Sequence, residues 1–181
     1  ENRMIGFAMC GSYCTHRMAL EQLRLLAEKG FSIQPVLSEN VYATDTRFGS
    51  ASHLINQVEG ICGRSVIHSV VDAEPLGPAV PLDALIICPC TGNTLAKMAA
   101  GITDSSVTMA AKAHLRGDRP LVIALASNDA LSANLKNIAT LLTRKCVYFV
   151  PLKQDDPQKK PHSLIADFSL LEPTLVSAME G

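Results

Sequence analysis

The sequence predicts an α/β fold, a single three-layer doubly wound domain built on a parallel six-stranded sheet, and three observations lead there. Apolar, strand-like blocks alternate with amphipathic helical stretches along the whole chain, and right-handed crossovers turn that alternation into a parallel sheet with helices on both faces. Within Leu82–Ile87 the residues Ala84, Leu85, Ile86 and Ile87 are continuously apolar rather than alternating, as a strand buried on both faces must be. This block leads through Cys88-Pro89-Cys90-Thr91-Gly92-Asn93-Thr94 into the helical pattern from Leu95 to Asp104. Small polar side chains thus gather where the carboxyl edge of a sheet meets a helix N-terminus, the place where open α/β sheets bind anionic ligands.

Taken in order, Ile5–Cys10 is the first strand, with Gly11-Ser12-Tyr13-Cys14-Thr15 as its turn. From His16 to Lys29 the residues Ala19, Leu20, Leu23, Leu26 and Ala27 keep helical spacing, and Gly30 stands where a left-handed helix stop is expected. Phe31–Leu37 is the second strand, Ser38–Gly49 a long polar loop, Ser50–Val58 a helix and Ser65–Val71 a third strand. The proline-rich link from Glu74 to Pro81 delivers the chain to the fourth strand, which Pro89 is expected to end. Asp104 is positioned to cap a helix running to about Arg116. Pro120–Ala126 is strand five, Ser127-Asn128-Asp129 the next elbow, Leu131–Arg144 a helix and Cys146–Pro151 strand six. Leu152–Ala166 reads as loop, and Ser169-Leu170-Leu171-Glu172 as a capping box opening the last helix. No composition shift marks an internal boundary, so residues 1–181 are expected to form one domain.

Composition narrows the function classes. A chain of 181 residues buries about 70% of its unfolded surface and needs no staple. An apolar content of 48% with only 18% charged residues points to a large core or a buried subunit interface. A net charge of −1, with Lys159-Lys160 as the one basic pair that stands out, argues against nucleic acid. No apolar window reaches the ~18 residues of a membrane span and no secretory leader pattern opens the chain, so no membrane partner and a cytoplasmic location are expected. Six cysteines, several inside apolar strands, read as buried thiols of a reducing compartment. Cys10, Cys14, Cys88 and Cys90 fall at the ends of neighbouring strands, the strongest case for a metal. Neither pair has the C-x-x-C spacing, and two cysteines at alternate strand positions are explained as core residues, so no metal site is expected.

Neither a G-x-G-x-x-G nor a P-loop pattern is present. What remains are the elbows at Gly11-Ser12, Thr91–Thr94 and Ser127-Asn128-Asp129, which converge on one crevice if the strand order reverses between strands one and four. Gly11 allows close backbone approach and Ser12 offers a hydroxyl, which suits a mononucleotide phosphate. Asn93 donates and accepts at once, which suits the edge of a flat heterocycle or a substrate carboxylate. His16 reads as a surface or capping residue at the start of its helix.

The segment Pro89–Asp104, with Asn93-Thr94, Lys97, Gly101 and Asp104, resembles the P-x-x-x-N-T-x-x-K-x-x-x-G-x-x-D signature of the flavoprotein superfamily. That superfamily holds phosphopantothenoylcysteine decarboxylases, peptidyl-cysteine decarboxylases and flavin prenyltransferases. Arg119-Pro120-Leu121-Val122 and Leu135-Lys136-Asn137-Ile138 are similar to stretches of the prenyltransferase branch. More distinctive are Thr44–Gly49, Ala73–Pro78, Ser127–Leu131, Tyr148–Pro151 and Gln154-Asp155, which resemble the B subunits of dipicolinate synthases of spore-forming bacteria across nearly the whole chain. The decarboxylases' histidine falls here near Pro75, with no histidine between His68 and His114. Their P-x-M-N-x-x-M clamp is replaced by Ser127–Leu131, and Ser127 stands where prenyltransferases carry a phosphate-holding arginine.

The resemblance implies a Rossmann-like flavoprotein fold and an FMN site at Gly11, Ser12, Ser38, Thr91, Asn93 and Thr94. It implies the oxidation of dihydrodipicolinate to dipicolinate during sporulation, in the mother-cell cytoplasm, with NADP supplied through a partner, the A subunit. Arg47 is the candidate to hold a carboxylate of this small dicarboxylate substrate, with Asn93 and Asn128 beside it, and no catalytic residue is singled out. Relatives assemble as trimers or larger shells, so a homo-oligomer is expected. Two alternatives stand beside this reading: an FMN-dependent decarboxylase or prenyltransferase-like enzyme, and a non-catalytic accessory subunit with a degenerate flavin site.

Overall fold

The computed structural model describes residues 3–181. Five parallel strands form the body of one sheet: β1 Met4–Met9, β2 Ser32–Leu37, β3 Ala84–Thr91, β4 Leu121–Ser127 and β5 Val147–Phe149. Two short antiparallel strands, β6 Leu152–Lys153 and β7 Leu164–Ala166, complete seven. The order runs β2-β1-β3-β4, so the chain winds one way from β1 to β2 and the other way from β1 to β3, and the reversal predicted from sequence lies between those strands.

Helices α1 His16–Glu28, α3 Ala51–Cys62 and α8 Leu171–Glu180 cover one face, where Phe7, Ile86 and Val122 meet Leu23, Val58 and Leu175. On the other face α4 Val70–Ala73, α5 Gly92–Ala100, α6 Ser106–Leu115 and α7 Leu135–Leu142 pack Leu95, Ala110 and Ile138 against Ala8, Ile87 and Ile123. Neighbours such as Phe7 and Ala8, or Ile86 and Ile87, therefore point into opposite layers, which is why β3 had to be apolar without interruption. Among the described residues no helix is long and apolar enough to cross a membrane.

The sheet departs from a parallel six-stranded one at two places. Ser65–Val71 contributes a single bridge, Val36 with Ile67, before the Ser69 hydroxyl accepts the Asp72 amide and turns the chain into α4. The expected loop at Leu152–Ala166 doubles back instead as β6 and β7. β5 covers the first half of β4's outer edge, through Leu121–Ile123, and β7 covers the second half at Ala126 and Ser127.

Local signals also competed. β3 does not stop at Pro89: the Cys88–Pro89 bond is cis, the register shifts there, and pairing resumes at Cys90 with Leu125. Proline removes only a donor, and its carbonyl still accepts from the Cys10 amide at 3.0 Å. The loop after β2 opens with a short helix, α2 Glu39–Ala43, because the Ser38 hydroxyl caps it by accepting the Val41 amide. Ser105 rather than Asp104 caps α6, in a reciprocal box with Thr108, while Asp104 pairs with Lys97 at 2.9 Å. α7 starts at Leu135 rather than Leu131, since the turns after Asp129 occupy the intervening residues. The box at Ser169–Glu172 is not formed: Asp167 caps a 3₁₀ turn, Phe168–Leu170, and Glu172 reaches Lys29 at 2.5 Å.

Candidate functional site

The three elbows meet at the carboxyl edge of the sheet and open two adjoining clefts. One, of about 450 Å³, takes Gly11, Ser38, Thr91, Asn93 and Thr94 into its lining. The other, of about 480 Å³, takes Ser12, Thr91, Asn93 and Asn128. Thr91 and Asn93 belong to both, so the start of α5 is the ridge between them.

Hydrogen-bond accounting says which groups are still available. Thr91 Oγ1 accepts the Thr94 amide, capping α5, and spends its own proton on Thr94 Oγ1 at 3.0 Å. The Thr94 hydroxyl still has its own proton to give, with the Cys10 thiol beside it. Ser38 is in the same position: it accepts from Val41 and has its O–H to give. These donors lie beside the amino end of α5, which favours an anion. The acidic neighbours are already engaged. Glu39 accepts from the Ser106 amide at 3.0 and 3.1 Å, and Asp104 holds Lys97.

The second cleft has a different character. Ser127 Oγ and Asn134 Nδ2 both donate to Asp129 Oδ1, at 2.5 and 2.9 Å, and Asn137 Nδ2 holds the Asn134 amide oxygen at 2.8 Å. The Asn134 and Ser127 bonds hold the Asp129 carboxyl below its ordinary range, so it is a carboxylate at neutral pH. The cluster is possible only because Gly92 has no side chain: a Cβ there would lie 2.5 Å from Ser127 Oγ and 2.7 Å from Asn134 Nδ2. The turn before β7 adds Asp155, Lys160 and Ser163 to the lining, with Lys160 and Asp155 3.5 Å apart. Of the pair Lys159-Lys160, only Lys160 reaches the site.

Two expected residues sit elsewhere. Arg47 lines neither cleft; its guanidinium lies over the Phe48 ring at 4.9 Å on an exposed turn. His16 is not a surface residue but 8% exposed, with Nε2 2.7 Å from the Cys10 carbonyl oxygen. Burial pushes its pKa down, so the ring is neutral at pH 7. Asp129 and Asn134 were missed as partners; Asp129 stood inside a recognised elbow, but nothing in sequence tied it to Asn134. Cys10, Cys88 and Cys90 are buried thiols whose pKa values burial pushes up. Among the described residues no three His, Cys, Asp or Glu side chains gather as a metal cluster.

Comparison with known proteins adds to this geometry. The flavoprotein family matches residues 1–167. The chain is 42% identical over 179 residues to the dipicolinate synthase B subunit of Bacillus subtilis (strain 168), covering 99% of this chain and 90% of that protein. A crystal structure of the dipicolinate synthase B subunit from Bacillus halodurans superposes with a TM-score of 0.91 at 42% identity, over 100% of this chain and 94% of the other. The FMN-dependent cysteine decarboxylase SpaF shares the fold, with a TM-score of 0.68 at 24% identity over 98% and 97% of the two chains.

Proposed function

We propose, since this chain belongs to the flavoprotein family, that it is the flavin-binding B-type subunit of an oxidoreductase that converts dihydrodipicolinate to dipicolinate together with a separate NADP-binding subunit. The observation that carries the reading is full-length identity of 42% to a protein of that name, combined with elbows that retain free donors at the switch point. A decarboxylase or prenyltransferase role rests on far more distant likeness. It also lacks here the histidine and arginine those branches use.

The residues present fit a flavin mononucleotide. Ser38, Thr94 and the amino end of α5, with Gly11 in the same lining, suit its phosphate, and Asn93, on the ridge, suits the edge of its ring. When bound, FMN supplies two-electron redox chemistry at the sheet edge. The chain's own part is to bind and orient. Thr91 donates to the Thr94 hydroxyl oxygen and so holds that side chain in place, and the Asp129 cluster ties the end of β4 to the start of α7. Dihydrodipicolinate loses a hydride and a proton as it aromatises. With no dinucleotide fingerprint in this chain, the partner subunit carries the NADP that takes the hydride. A homo-oligomer with a solvent-excluded site, in the cytoplasm of a sporulating mother cell, completes the proposal.

Two measurements test it. Flavin titration followed by absorbance between about 350 and 500 nm should show binding that Asn93→Ala weakens tenfold or more while leaving the circular dichroism unchanged; no binding at millimolar flavin overturns the cofactor. Dipicolinate formation should require both subunits with NADP. Full activity of this chain alone overturns the two-subunit arrangement, and full activity of the partner alone makes this chain an accessory.

A further inference from the structure

We infer that the dicarboxylate substrate is held outside the elbow crevice, in a cleft between α1 and α3 where Arg17 and Arg24 take its two carboxylates; the inference rests on the reading above for the identity of that substrate.

Charge separates the candidate places. The elbow clefts carry Asp129 and Asp155 in one and Glu39 and Asp104 in the other, and their lysines, Lys160 and Lys97, are each already paired with a carboxylate. A dianion entering the Asp129 cleft meets an ionised carboxylate at close range, and the Ser38 cleft is the one that the flavin phosphate takes in the reading above. The α1/α3 cleft, about 560 Å³, has no acidic side chain in its lining. Arg17 and Arg24 lie seven residues apart on α1, so they share a face about two turns, or roughly 10 Å, apart. Neither has a carboxylate within ion-pair distance among the described residues.

The inner wall combines a buried histidine with apolar side chains. His16 is more than nine-tenths buried, and its Nε2 must carry the proton because the Cys10 carbonyl only accepts. Its Nδ1 is therefore an acceptor without a protein partner among the described residues, on the wall of this cleft. Leu20, Leu54 and Phe48 supply apolar surface beside it. The cleft also adjoins the crevice: Tyr13 lines both it and the Ser38 cleft, and Cys14 lines both it and the Asp129 cleft. A ligand here lies one turn of chain from the flavin elbows. The Thr44–Gly49 loop thus contributes through Phe48 and its backbone rather than through Arg47.

The test is calorimetric titration of the full chain with dipicolinate. We expect binding that Arg17→Ala and Arg24→Ala each weaken at least tenfold, with picolinate, which has one carboxylate, binding more weakly than dipicolinate. Arg17→Lys should restore part of the loss. Both arginines are exposed, so the variants should fold and should bind flavin like the unmodified chain. Absence of dipicolinate binding to the unmodified chain, unchanged affinity in both arginine variants, or loss on Asn128→Ala in place of the arginine variants would each overturn the site. The reading of function fails separately. If the reconstituted pair makes no dipicolinate while the arginine-dependent binding persists, the site stands and the reaction falls. If the pair works with unchanged KM in both arginine variants, the reaction stands and the site falls.

Discussion

Gly92→Ala isolates the close approach on which the crevice depends. Gly92 begins α5 with a negative φ, so alanine is conformationally permitted and would by itself favour the helix by about 0.5–1 kcal/mol. The cost comes from what the new methyl meets: Ser127 Oγ at 2.5 Å, Asn134 Nδ2 at 2.7 Å and Asp129 Oδ1 at 3.1 Å. All are ends of short side chains, so they move aside rather than force the backbone, and the two bonds to Asp129 Oδ1 are lost. Bonds to a charged group contribute about 1.5–3 kcal/mol when buried. Asp129 is half-exposed, so water recovers part of that, and about 1 kcal/mol for each bond is the reasonable figure. Set against the helix gain, the net loss is about 1–1.5 kcal/mol. It should appear as a lower urea midpoint at unchanged slope. In a Ser127→Ala background the nearest clashing atom and one of the two bonds are gone, and the cost of Gly92→Ala should fall to about 0–0.5 kcal/mol. Strict additivity of the two substitutions, or a Gly92→Ala variant as stable as the starting chain, would refute this account.

Two further outcomes follow from the same packing. Gly77→Ala should be far more damaging: Gly77 has a φ of +108°, and its Cβ would be driven into the backbone carbonyl of Ala113 on α6, so we expect a loss of at least about 3 kcal/mol by chemical denaturation. Acid should destabilise the protein earlier than its carboxylates require. Burial lowers the pKa of both His16 and His114, and the His114 Nδ1 is buried without a partner. Well above pH ~6.5, from about pH 7.5, neither ring is protonated in either state and this contribution to stability is flat. As pH falls below ~6.5 the unfolded chain takes up protons that the folded one refuses, so stability falls by up to about 1.4 kcal/mol per pH unit for each residue. His114→Gln should reduce that slope, and stability that stays level down to pH 5 would contradict it.

What was legible in the sequence was what neighbouring residues decide. The uninterrupted apolar run of β3, the helical spacing of α1 and the small polar elbows are written in adjacent positions, and they give the layers and the switch point. Where several local signals competed, the sequence was ambiguous. Ser105 outcompetes Asp104 as a cap because it forms a reciprocal box, and Pro89 fails to end β3 because the ladder shifts register around it. The β6–β7 return was invisible because two- and three-residue strands carry too little pattern to read, and their stability comes from pairing with β4 rather than from propensity.

The same distinction explains the site. Thr91, Asn93 and Thr94 could be found because capping and donor chemistry lie within one turn of chain. Gly92 looked like one more small residue of the elbow until its Cβ was placed against Asn134, more than forty positions away. Charge makes the point again. Arg47, in a polar loop, looked like the natural carboxylate ligand, yet in the fold it stacks on Phe48. Arg17 and Arg24 are exposed positions between the apolar residues of α1. They become a paired cationic face only when α3 and the Phe48 turn close a cleft in front of them and the acidic side chains fall into the two neighbouring clefts. Sequence reading finds groups able to bind an anion, but it is the arrangement of the surrounding carboxylates that decides which of those groups an anion can reach.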